Sequence, residues 1–158
     1  MNFACGLYNR ENVAMRSRIL LIFPLVLFGC ALTPVKRPWK LELTTSGGFT
    51  GQGSGAITVD SAGAIHVKQP FHGECDARAT AAEVAGFEAL LKDARPAKWR
   101  ESYMPENQCC DRVSFHLTLT IADRSWTTEW MSPEPMPKDL AAIGDELVKT
   151  MQAHACAP

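Results

Sequence analysis

Residues 113–121, Val-Ser-Phe-His-Leu-Thr-Leu-Thr-Ile, place five apolar side chains on one face and four polar ones on the other. Such alternation matches the two-residue repeat of a half-buried strand and no helix. A strand with one wet face needs neighbours and a cover, so the chain must build a sheet with a single buried side. Asp123-Arg124 then turns into Trp126-Thr-Thr-Glu-Trp130, where Trp126, Thr128 and Trp130 share a side.

Three earlier segments repeat the pattern: Trp39-Lys-Leu41-Glu-Leu43, Ala56-Ile57-Thr-Val59-Asp60 and Ile65-His-Val67-Lys68. The last two are split by Ser61-Ala62-Gly63, a hairpin signal. Two helices are expected. Thr80-Ala-Ala-Glu83 is a capping box, and Val84, Phe87, Leu91 and Ala94 follow at helical spacing until Pro96. Pro137 suits a first helical turn and precedes the stripe Leu140, Ile143, Leu147, Val148 and Met151. The order β-β-β-α-β-β-α predicts an α+β fold: an antiparallel sheet of about five strands with both helices on one face.

Between the first two strands, Thr44 to Asp60 reads TTSGGFTGQGSGAITVD, with glycines at 47, 48, 51, 53 and 55. A phosphate loop follows a strand and opens a helix. Here the glycines lead into another strand and lack a Gly-Lys-Ser/Thr ending. A wide hairpin loop remains, and its length exceeds what a connection requires, which points to binding. Phe49 either anchors a partner or folds back onto the core.

The N-terminal part speaks of location. Arg16 and Arg18 precede the apolar run Ile19–Phe28, which ends at Gly29-Cys30. This is the layout of an export signal over residues 1–29, and the run is about half of the ~20 residues that span hydrocarbon. Met15 starts a more typical signal than Met1, leaving 1–14 as an over-long start. Leu27-Phe28-Gly29-Cys30 resembles the lipobox of bacterial lipoproteins, with Phe28 where a smaller residue is usual. The resemblance implies acylation of Cys30, a tether over residues 30–38, one domain over 39–158 and, with Ala31 next, an outer-membrane location. The simpler reading is a cleaved signal with an incidental cysteine.

Export makes the remaining cysteines, Cys75, Cys109, Cys110 and Cys156, candidates for two disulfides. Joining the neighbours Cys109 and Cys110 would strain the ring. The expected pairing therefore ties Cys75 and Cys156 each to one member of that pair. No C-x-x-C spacing or paired histidine accompanies them, so no metal and no cofactor is expected.

After Cys30 the chain carries 13 basic and 16 acidic residues, a balance that argues against nucleic acid. Catalytic candidates are isolated. His66 and His116 fall on outer strand positions, His72 with Glu74 and Asp76 sits in a loop, and Ser54 lacks a nucleophile elbow. The chain is read as a non-enzyme.

Ser46-Gly47-Gly48-Phe49-Thr50-Gly51 after a short strand is similar to the S-G-G-F-x-G opening of the emfourin family. The likeness continues through the Glu83–Ala94 helix, the Asp111–Leu117 strand and the C-terminal helix, roughly residues 40–150. It implies inhibition of a protealysin-type, thermolysin-like metalloprotease, with Gly47, Gly48, Phe49, Thr50 and Gly51 as the partner-binding segment. The four domain cysteines and the Gly51–Gly55 extension depart from that pattern. The alternative partner is another envelope protein, met through the sheet face or through Trp126/Trp130 in a structural or assembly role.

Overall fold

The computed structural model describes residues 37–106, 111–131 and 134–157. The signal segment 1–29, Cys30, the tether up to residue 36 and the Cys109-Cys110 pair lie outside the described residues.

The strands are β1 (Trp39–Gly47), β2 (Ala56–Asp60), β3 (Ala64–Gln69), β4 (Gly73–Arg78), β5 (Ser102–Tyr103), β6 (Val113–Ile121) and β7 (Arg124–Met131). Helix α1 (Ala81–Asp93) follows β4, and α2 (Lys138–Ala153) follows β7. The fold is α+β, but the sheet has seven strands in the order β4-β3-β2-β1-β6-β7-β5. Five antiparallel strands were expected, and both additions lie at the edges. β4 reads Gly-Glu-Cys-Asp-Ala-Arg, whose inward positions carry only Cys75 and Ala77, too weakly apolar to announce a strand. β5 has two residues and pairs parallel to β7, so the sheet is mixed.

Register puts the large apolar residues of β1, β2, β3 and β6 on one face. Leu41 faces Val59 on one side and Leu119 on the other, while Leu43 faces Ile57 and Leu117. All six are at most 1% exposed. Burying such a leucine contributes about 2 kcal/mol, so this row of pairs is the centre of the fold. Phe87 of α1 and Leu140, Ile143, Leu147 and Met151 of α2 join the same core, placing both helices over that face.

The local signals behave as their chemistry demands. Thr80 caps α1: its hydroxyl accepts the Glu83 amide, and the Glu83 carboxylate accepts the Thr80 amide at 2.7 Å. Asp60 accepts the amides of Ala62 and Ala64 at 2.9 Å each, closing the β2–β3 turn. Asp139, in the first turn of α2, accepts the Arg95 amide at 2.9 Å and the Trp99 indole at 3.0 Å, tying the α1 exit to α2. Burial pushes the Asp139 carboxyl up, but the Arg95 and Trp99 hydrogen bonds outweigh it and hold the group below its usual value.

A preorganised glycine loop as candidate functional site

The loop between β1 and β2 is held from inside by one side chain. Thr45 is 4% exposed on the inner face of β1. Its hydroxyl donates to the Gly55 carbonyl at 2.8 Å and accepts the amides of Ser54 at 2.7 Å and Gly55 at 2.9 Å. Backbone bonds add a second layer: Gly47 N to Gly51 O at 3.0 Å, Gly51 N to Gly48 O at 3.0 Å and Gly53 N to Gly47 O at 2.8 Å. Gly48 N reaches across to the Arg112 carbonyl at 2.9 Å. A segment with this many internal bonds has little remaining freedom, so it is not a joint.

All five glycines have positive φ, between 64° and 115°. At three of them space also decides, and a Cβ on Gly47 would strike the Arg112 carbonyl oxygen. A Cβ on Gly53 would stand 2.6 Å from the Thr45 hydroxyl oxygen, and one on Gly55 would strike the Lys68 carbonyl oxygen. Glycine is required there both for the positive φ and because the loop is packed closely against its neighbours.

The conformation sends Phe49 outward. It is 93% exposed, which resolves the two readings of this residue against a return to the core. Gly47, Gly48, Thr50 and Gly51 are the frame around it, with Thr50 and Gly51 exposed. Sequence reasoning missed a second aromatic. Phe71, in the β3–β4 turn, is 85% exposed and holds φ of 73°, an uncommon backbone state for a bulky residue. Both hairpin tips lie at the same end of the sheet, since β1 and β3 run towards it. Between them is a groove of about 350 Å³, lined by Thr44, Ser46, Gln52 and Gly55 on one side and Gln69 and Pro70 on the other. The Pro70-Phe71-His72-Gly73 run was the available signal, since its proline and glycine mark a tight turn that projects the intervening aromatic.

The cysteines correct the expected pairing. Cys75 of β4 is bonded to Cys156 just beyond α2, so neither can be tied to Cys109 or Cys110. Setting aside the strained Cys109–Cys110 ring also sets aside its complement, Cys75–Cys156, which is the bond observed among the described residues. Helix α2 delivers its C-terminal end to the β3–β4 edge, where Cys156 is also held by Gln69, whose side-chain oxygen accepts its amide at 3.2 Å. Beside this bond His154 Nε2 lies 2.9 Å from Glu83 Oε1. The Glu83 carboxyl is lowered to about 2 by the Thr80 amide first, then by His154 and the Thr80 hydroxyl.

The other candidates are dispersed. His72 does not join Glu74 and Asp76; these meet His66 across the β3–β4 ladder, with His66 Nδ1 2.8 Å from Asp76 Oδ1 and Lys68 Nζ 2.6 Å from Glu74 Oε1. Among the described residues, no group of three His, Cys, Asp or Glu is arranged to hold a metal ion. His116 is exposed on the outer face, and the Ser54 amide is engaged by Thr45. Of the Trp126/Trp130 pair, Trp130 is 4% exposed and stacks on Phe115 at 5.2 Å beneath α2, whereas Trp126 is half-buried. No protein-family model and no curated protein matches the chain.

Proposed function

We propose that the chain is an exported lipoprotein, acylated at Cys30 and held at an outer membrane facing the periplasm. Its domain binds a protein partner through the Gly47–Gly55 loop, and the partner is a thermolysin-like metalloprotease that it inhibits. The observation that carries this reading is Phe49, 93% exposed on a loop fixed by Thr45. An aromatic anchor on a rigid frame binds without the entropy of ordering a floppy segment, the arrangement that suits insertion into a cleft. The Cys75–Cys156 bond supports an oxidising compartment.

Titrating the oxidised domain against a thermolysin-like protease tests the reading. Tight inhibition is expected, weakened roughly 30-fold or more by Phe49→Ser, the loss typical of a binding hot spot. Absence of inhibition at micromolar protein would reject the protease as partner. A second reading, assembly on another envelope protein, is favoured by Phe71: two exposed aromatics on hairpin tips at one end of the sheet make a broader face than one inserted loop. Photo-cross-linking from position 71 in cells that captured only proteases would exclude it.

A further inference from the structure

At the end of the sheet away from the glycine loop, three arginines converge. Arg37 precedes β1, Arg95 follows α1 and Arg124 opens β7. They line one groove of about 530 Å³ whose apolar part includes Ile121 and Trp126. All three are exposed, and none forms an ion pair with another described residue. Asp123 is the one acidic residue among those lining the groove. The three come from separate parts of the chain and meet because the β6–β7 turn closes against the start of β1. Ala122 N donates to Pro38 O at 2.9 Å, and Trp39 pairs with Ile121.

This end is where the chain arrives from Cys30. The seven steps from Cys30 to Arg37 can span at most about 25 Å. β1 then runs nine residues to Gly47, placing the glycine loop roughly 27 Å further on, at about 3.3 Å per residue. We infer that the Arg37–Arg95–Arg124 end is a docking surface for an anionic bilayer. The inference rests on the lipid-anchored reading for its orientation and on the arginine cluster for its chemistry. Guanidinium groups take phosphate oxygens in a two-pronged geometry, and an indole sits well at a lipid–water interface. Docked this way, the domain stands on its basic end and turns Phe49 and Phe71 away from the membrane.

Residues from Val35 onward form one compact unit, and among the described residues its core draws on positions 39–156, so the domain beginning at Val35 serves as the test protein. It is floated with vesicles of phosphatidylcholine alone and of phosphatidylcholine mixed with phosphatidylglycerol. Partition onto the mixed vesicles alone is expected, falling as salt is raised. Arg95→Gln and Arg124→Gln should each lower it about fivefold, the effect of one basic residue near an anionic surface. Lys68→Gln, an exposed charge on the outer face of β3, should leave it unchanged. Equal partition on both vesicles, no partition on either, arginine variants that behave as the parent, or an equal loss with Lys68→Gln would each overturn the surface. The mass of Cys30 in the full chain decides the anchor separately, because an unacylated cysteine removes the tether without altering the flotation result.

Discussion

Gly144 of α2 packs against the indole of Trp130 so closely that an added Cβ would lie 2.9 Å from Cζ2. Trp130 cannot give way easily, being stacked on Phe115 with their planes 6° apart. Alanine favours a helix over glycine by about 1 kcal/mol, but overpacking a rigid ring costs about 1–3 kcal/mol. Gly144→Ala should therefore destabilise by about 1 kcal/mol net. Gly86→Ala, in α1 with nothing within 4 Å of its Cβ, should stabilise by up to about 1 kcal/mol. Urea midpoints at equal slope separate the two, and the reverse order would contradict the packing of α2.

Thr45→Val keeps the shape of the side chain and removes its hydroxyl. The Ser54 and Gly55 amides then lose their acceptor, at a cost of about 1–3 kcal/mol. Hydrogen exchange should accelerate at these two amides before the rest of the sheet. Partner binding should weaken with it, although Thr45 is too buried to touch a partner.

The Cys75–Cys156 bond links positions 81 residues apart. In the chain-entropy account, a loop of this size gives roughly 4 kcal/mol, so replacing both cysteines by serine should lower the denaturation midpoint steeply. Non-reducing peptide mapping should return the fragments around 75 and 156 joined. Recovery of Cys75 joined to Cys109 or Cys110 would refute the pairing.

Glu83 makes stability depend on acid. Its folded pKa of about 2 lies below the usual carboxylate value, so its contribution is complete above about pH 4.3 and is lost as pH falls through about 2. The group is partly open to solvent, and the contribution is about 1–2 kcal/mol. The stability gap between the parent and Glu83→Gln should be constant near neutrality and narrow through that window. A gap that widens on acidification would show the wrong sign.

What could be read from residues alone follows the physical range of each signal. The β6 alternation, the Thr80–Glu83 box and the Leu140–Met151 stripe are local patterns, and each became the expected element. β4 escaped because an edge strand with only Cys75 and Ala77 facing inward carries little apolar signal. β5 escaped because two residues have no period at all. The glycines showed that the loop was special but not its shape, which Thr45, Lys68 and Arg112 impose from outside the loop. Phe71 had a local signal in its proline-glycine turn, whereas the Cys75–Cys156 pairing needed the third dimension, since the two lie 81 residues apart.

The route of β1 from Arg37 to the glycine loop bears on how the domain carries load. A pull exerted on Phe49 and resisted at Arg37 runs through the covalent backbone of a strand that is already extended. Little slack remains to be drawn out, and the hydrogen bonds to β2 and β6 are spared the tension. A partner tugging on the aromatic tip would be felt at the other end almost undiminished, as if through a taut wire, while the core hung unstressed beside it.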